Sequence, residues 1–212
     1  MIQVKELSKF FYSKGKKFQV LDNINFEIRE GEFVKIIGPN GSGKTTFLKL
    51  IKSVIRPDQG EINFTNDISN NDIQMVSQNT RSFFMNLSIR DNLIFFSSMS
   101  QVVSAKDDKI NFFLKNFNLL EKIDHKVADL SSGQLKKLSI VRALISDPKI
   151  LLMDEATNTL EYEFKEFFID YIFGEFCANS KKTIIWTTHY PDELPTRLTS
   201  NYIIENNKIV RS

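Results

Sequence analysis

Three of the chain's eight glycines fall within the six residues from Gly38 to Gly43, and Lys44, Thr45 and Thr46 follow at once. Bare backbone of that density beside one cation suits a ligand carrying many anionic oxygens. Glycine lets the chain curl so that several N–H groups point inward, and a helix starting near Lys44 adds its positive end. Gly38, Gly43, Lys44 and Thr45 satisfy G-x-x-x-x-G-K-[ST], the phosphate-binding loop or Walker A motif. The loop Gly38, Pro39, Asn40, Gly41, Ser42, Gly43, Lys44, Thr45 and Thr46 is therefore expected to hold a triphosphate, with Lys44 on the β- and γ-phosphates and the Thr45 hydroxyl on Mg²⁺. A second pair of groups closes the apolar run "KILLMDE" (149–155). Asp154 stands where a Walker B acid holds Mg²⁺, and Glu155 beside it is placed to take a proton from attacking water, work worth ~10²–10⁴ in rate.

These groups need a scaffold that delivers them to one edge. Short apolar stretches in "IQVKEL" and "FVKII" and the alternation of Ile24, Phe26 and Ile28 predict strands in the N-terminal third. Phe47, Leu50, Ile51, Val54 and Ile55 recur at helical spacing after the glycines, "RPDQG" breaks that helix, and "EINF" and "IQMV" return to strand. From about Ser88 to Val127 the strand signal fades while Ile110, Phe113, Leu114 and Phe117 share a helical face, the pattern of a helical insertion. "KILLMDE" and "KTIIWTTH" (182–189) read as strands buried on both faces, with a helix between them bearing Leu160, Phe164, Phe167, Phe168, Tyr171 and Ile172. "YIIENNKIV" closes the chain as a hairpin. The expected fold is α/β: a P-loop NTPase core with a mostly parallel sheet, an N-terminal antiparallel β-subdomain and a helical insertion subdomain. Residues 1–212 form one domain, divided at about 1–78, 79–130 and 131–212. Ligands of such cores sit beyond the carboxyl ends of the strands.

Composition narrows the function classes. At 212 residues and 42% hydrophobic the chain can bury a substantial core, and a formal charge of +2 gives no global attraction to nucleic acid. The "SKGKK" stretch (13–17) reads as a solvated turn. One cysteine, Cys177, and two histidines, His125 and His189, supply neither an internal disulfide nor a Cys/His zinc set, which fits a reducing cytoplasm. No apolar run reaches the ~18 residues that span a bilayer, and the start lacks a secretory core.

The chain resembles the ATP-binding cassette family, the nucleotide-binding subunits of ABC transporters, over nearly its whole length. The most specific signal is "LSSGQLKKLSIVRAL" (130–144), similar to the family's LSGGQ signature and the helix that follows it, for which Leu135, Leu138, Val141 and Leu144 give a packing face. The resemblance implies a head-to-tail pair, a homodimer or a heterodimer with another cassette subunit. Each ATP then lies between one Walker A loop and the signature residues Ser131, Ser132, Gly133 and Gln134 of the opposite subunit. It further implies that Gln78 is the Q-loop glutamine, touching Mg²⁺ or water and sensing the transmembrane partner. His189 is the switch histidine on the γ-phosphate, and Phe11, with Tyr12 as neighbour, stacks on adenine. The partner is an integral membrane transporter subunit docking near residues 79–96, where Phe83, Phe84, Phe95 and Phe96 line a socket or simply pack in the core. This stretch weakly resembles cassettes of exporters. The protein itself is expected in the cytoplasm, peripheral on the cytoplasmic face of the membrane.

Three positions depart from the family pattern: Ser132 replaces a signature glycine, Ala156 a proline and Glu161 an aspartate. They bear on hydrolysis rate and coupling between sites more than on ATP binding. Two other readings stay open at this level: a cassette ATPase of nucleic-acid or ribosome work, and a module that closes on ATP but hardly hydrolyses it. A single cassette without a long heptad insertion or a basic bias argues against the former.

Overall fold

The computed structural model describes residues 2–65, 68–77, 82–99, 107–158, 160–194 and 200–212. Strands β1 (Ile2–Ser13) and β2 (Lys16–Ile28) form a long antiparallel hairpin, and β4 (Gln59–Phe64) pairs with the other edge of β1, in the order β2-β1-β4. The hairpin turns at Lys14 and Gly15, both at positive φ, the conformation a two-residue turn needs to match the strand twist. The "SKGKK" lysines are accordingly exposed at a turn, as expected from the sequence. Ile2, Val4, Leu7, Leu21, Ile24, Phe26 and Ile28 point to one side and are buried.

The second sheet runs β5-β6-β7-β3-β8-β9. Its first five members, β5 (Ile73–Val76), β6 (Ile150–Asp154), β7 (Thr183–Thr188), β3 (Phe33–Ile37) and β8 (Ser200–Glu205), are parallel, and β9 (Lys208–Arg211) returns antiparallel to β8 through Asn206 and Asn207. Every residue of β6 and β7 is buried, because both faces of the sheet are covered. Side chains alternate between the two faces: Leu151, Met153, Ile184 and Trp186 join a helical layer, while Ile150, Leu152 and Ile185 join the antiparallel sheet and the first helix.

That first helix, α1 (Lys44–Ile51), follows β3 directly and buries Phe47, Leu48, Leu50 and Ile51. Between β5 and β6 the chain forms α2 (Ile89–Met99), α3 (Asp107–Asn116) and α4 (Ser132–Ile145). The ends of the segment holding α2 and α3 are tied by an isolated bridge from Ser88 to Lys126 and by N–H bonds from Ile89 to the His125 carbonyl and from Arg90 to the Ile123 carbonyl. Ile110, Phe113, Leu114 and Phe117 are buried together, as their spacing predicts.

Helix α4 departs from its expected narrow face. Leu138, Val141 and Leu144 are buried, yet so are Lys136, Lys137, Ser139, Ile140, Ala143 and Ile145, because α2, α3 and the sheet edge all pack against it. Helix α5 (Tyr162–Tyr171) runs on into wider π-type turns from Ile172 to Asn179, a continuation that its apolar spacing does not reveal. Among the described residues no helix is long and apolar enough to cross a membrane.

Candidate functional site

Parallel pairing aligns the carboxyl ends of β3, β6 and β7: Asp154 lies opposite Thr187, and Ile37 opposite Thr188. The Gly38 N–H then donates to the Thr188 carbonyl at 3.2 Å, so the glycine loop starts on that edge. A Cβ at Gly38 would overlap the Ile204 side chain. Gly43 caps α1 at φ 106°, and a Cβ there would come within 2.9 Å of Val20. No side chain caps α1 and no acid sits in its first turn, which leaves its leading N–H groups and positive pole free for an anion. The Ser42 hydroxyl is buried with no hydrogen-bond partner among the described residues, a further donor for an anion.

Lys44 is almost wholly enclosed. Its ammonium donates to the carbonyls of Gly38 (2.7 Å) and Pro39 (3.1 Å) and sits 3.2 Å from Glu155 Oε1. Glu155 is held at φ 46°, a left-handed conformation that costs a non-glycine residue about 1 kcal/mol or more, with its N–H donating to the Thr187 carbonyl. Its second carboxylate oxygen accepts from Asn158 Nδ2 at 3.1 Å and lies 3.3 Å from His189 Nδ1. That last contact is close but poorly aligned, and the buried Nδ1 has no hydrogen-bond partner among the described residues. Beside them, the hydroxyls of Thr45 (2.8 Å) and Thr187 (3.0 Å) donate to the two oxygens of Asp154, itself 2% exposed. A carboxylate and a threonine hydroxyl at one point are hard oxygen donors, the set that Mg²⁺ accepts. Among the described residues no three His, Cys, Asp or Glu side chains cluster at metal-binding separations. An ion here would draw the rest of its shell from phosphate oxygens and water.

A cleft of about 540 Å³ opens from this point past Asn40, Gly41 and Thr46 to Phe11, Tyr12, Phe18 and Val20. Phe11 is half-buried and stacks on Phe18 at 6.1 Å between ring centroids, whereas Tyr12 is 73% exposed. Phe18 and Val20 were not singled out in the sequence. The hairpin register that sets Phe18 opposite Phe11 was the signal that could have found Phe18. Asn158 and Thr187 were also missed, since their partners lie across a loop and across the sheet. Gln78 lies outside the described residues.

Ser131, Ser132, Gly133 and Gln134 do not line the cleft. They open α4 as a capping box: the Ser131 hydroxyl accepts from the Gln134 N–H, and the Gln134 side chain accepts from the Ser131 N–H. Lys136 donates to the Ser77 carbonyl at 2.7 Å, and burial pulls its ammonium down to about 8 against the upward pull of Asp154 and Glu155. Ala156 is fully buried, and Glu161, exposed, pairs with Lys137 at 3.1 Å.

A glycine cradle and a Walker B carboxylate at the carboxyl edge of one parallel sheet define the class of P-loop nucleotide-binding proteins. Residues 21–158 match the family model described as ABC transporter, and the chain belongs to that family. It is 31% identical over 172 residues to the spermidine/putrescine import ATP-binding protein PotA of Vibrio vulnificus, an alignment covering 78% of this chain and 45% of that one. The chain thus spans less than half the length of that relative. It is 34% identical over 186 residues to the probable iron export ATP-binding protein FetA of Escherichia coli, covering 83% of this chain and 80% of the relative. Among solved structures, a dimeric ATP-binding cassette in a post-hydrolysis state, bound to ADP and Pi, superposes with a TM-score of 0.87 at 26% identity, covering 100% of this chain and 97% of that one.

Proposed function

We propose that the protein binds and hydrolyses Mg-ATP as the energy-converting subunit of a membrane transporter. The observation that carries this is the closed contact among Lys44, Glu155, Thr45 and Asp154 at the uncapped start of α1. Incoming phosphates compete for Lys44, whose ammonium leaves the loop carbonyls and Glu155 for a stronger anion. Glu155, released from Lys44 but still held by Asn158, accepts the proton of the attacking water, and His189 steadies the γ-phosphate side. Thr45 and Asp154, with Gln78, would hold Mg²⁺, which supplies a Lewis acid for the β- and γ-phosphate oxygens. Phe11, backed by Phe18, receives the adenine. Because Ser131, Ser132, Gly133 and Gln134 do not line the cleft of their own chain, we assign them to the ATP of a second cassette subunit, identical or not. The solved dimer of similar fold supports that arrangement.

The membrane subunit docks on the aromatic group beside α2. Phe84, Ile94 and Phe95 are more than two-fifths exposed there, and the Arg142 guanidinium lies 4.5 and 4.7 Å from the ring centres of Phe83 and Phe96. On this reading the protein works at the cytoplasmic face of its membrane. Export is the direction retained, on that aromatic stretch and the likeness to an iron exporter; the likeness to polyamine importers argues the other way. Vesicle transport assays with the membrane subunit decide between them. Neither nucleic acid nor zinc is part of this function.

Steady-state phosphate release tests the reading. Glu155→Gln should lower turnover by ~10²-fold or more with ATP affinity retained. A wild-type protein that releases phosphate no faster than Glu155→Gln would support instead a module that closes on ATP without turnover.

A further inference from the structure

The turn after the switch strand is fixed from two sides by charged groups. Residues Tyr190 to Leu194 follow His189 directly, with a short 3₁₀ turn at Pro191–Glu193. From below, the ammonium of Lys35, a residue in the middle of β3 with 1% of its surface exposed, donates to the carbonyls of Pro191 (3.0 Å) and Leu194 (3.3 Å). From the side, Glu193 carries a fully buried side chain whose Oε1 accepts a hydrogen bond from the Thr157 hydroxyl and lies 3.3 Å from the Lys165 ammonium on α5. Its other oxygen has no hydrogen-bond partner among the described residues. Burying a carboxylate with one oxygen unsatisfied carries a desolvation cost, so the arrangement has to be maintained by what it connects.

What it connects is the two strand-end loops of the site. Thr157 lies two residues beyond Glu155, and Glu193 four beyond His189. The Thr157–Glu193 bond therefore spans the same gap that Glu155 and His189 face across, where their side chains approach to 3.3 Å without aligning. We propose that Glu193 is a positioning residue: through Thr157 it sets the orientation of the His189 imidazole relative to Glu155. The proposal rests on the reading of Glu155 and His189 as the hydrolytic pair. Thr157 also belongs to the loop that ends at the exposed Glu161.

The chain has only two histidines, so imidazole NMR cross-peaks at fixed pH report His189 directly, with exposed His125 as internal control. Thr157→Val removes the donor and Glu193→Ala the acceptor. Glu193→Gln keeps an acceptor oxygen. Thr157→Val and Glu193→Ala should move the His189 signals, leave those of His125 in place, and lower kcat by roughly tenfold with KM for ATP within about twofold. Glu193→Gln should recover most of the kcat lost in Glu193→Ala. Should Glu193→Ala not fold, Thr157→Val carries the test. Folded Thr157→Val with wild-type His189 signals and kcat overturns the proposal, as does a Glu193→Gln no better than Glu193→Ala. If the wild type has no turnover while Thr157→Val still moves the His189 signals, the positioning role stands and the reading as a hydrolase fails.

Discussion

At the scale of single residues the site is a set of charges that satisfy one another until phosphate arrives. The Lys44 ammonium spends its donors on two loop carbonyls and Glu155, and Asp154 is fully engaged by two threonine hydroxyls. Such buried groups make stability depend on pH, and Lys136 does so within a measurable range. Its folded value of about 8 lies below the ordinary lysine value of 10.5, so between those limits the unfolded chain binds the extra proton and stability rises with pH. Below about pH 8 the penalty for burying the charge is present in full. Lys136→Met lacks that penalty, so the wild type should gain on the variant as pH is raised from 8 towards 10.5, by at most about 1.4 kcal/mol per unit. Denaturant midpoints of the nucleotide-free proteins at pH 7, 9 and 10 check this, and a constant difference would contradict it.

Among the elements, the join between β3 and α1 carries the strictest backbone demand. Gly43 at φ 106° with Val20 against it leaves no room for a side chain. Gly43→Ala should destabilise the protein by about 1–2 kcal/mol and abolish nucleotide binding, read by thermal melts with and without Mg-ATP. The elements themselves were largely legible in the sequence. β6 and β7 stand out because a strand covered on both faces is a continuous apolar run, and the turns at "SKGKK" and "ENNK" because clustered polar residues interrupt strand patterns. What stayed hidden was polar: Lys35 inside β3, Lys136 and Lys137 inside α4, and the Thr157–Glu193 bond. Apolar spacing has no signal for a lysine that is buried because distant carbonyls receive it. Within the site, Lys44, Thr45, Asp154 and Glu155 are legible from motif and order and His189 from the family resemblance, and these five side chains lie together in the structure. Thr187 reaches Asp154 only across the sheet, a pairing that spacing along the chain does not encode, whereas Asn158 bonds Glu155 within one loop and Phe18 backs Phe11 through the hairpin register, local relations that carry no motif.

At the scale of the whole molecule, two exposed faces among the described residues bear on the account. One is the aromatic group around Phe84, Ile94 and Phe95, backed by Arg142. Ile94→Glu with Phe95→Glu should leave ATP binding by the isolated subunit unchanged while the membrane partner no longer copurifies; equal recovery of the partner would remove this surface from the account. The other is the start of α4, where Ser131 and Ser132 are exposed and no residue of the signature reaches the cleft of its own chain. If two copies share their ATP, that helix start must meet the glycine loop of a second molecule, with Ser132 in the contact. The most direct measurement is the light-scattering mass of Glu155→Gln with and without saturating Mg-ATP. The account predicts twice the mass of the chain with nucleotide and the mass of a single chain without it. A single-chain mass in both, with calorimetry showing ATP bound, would contradict it.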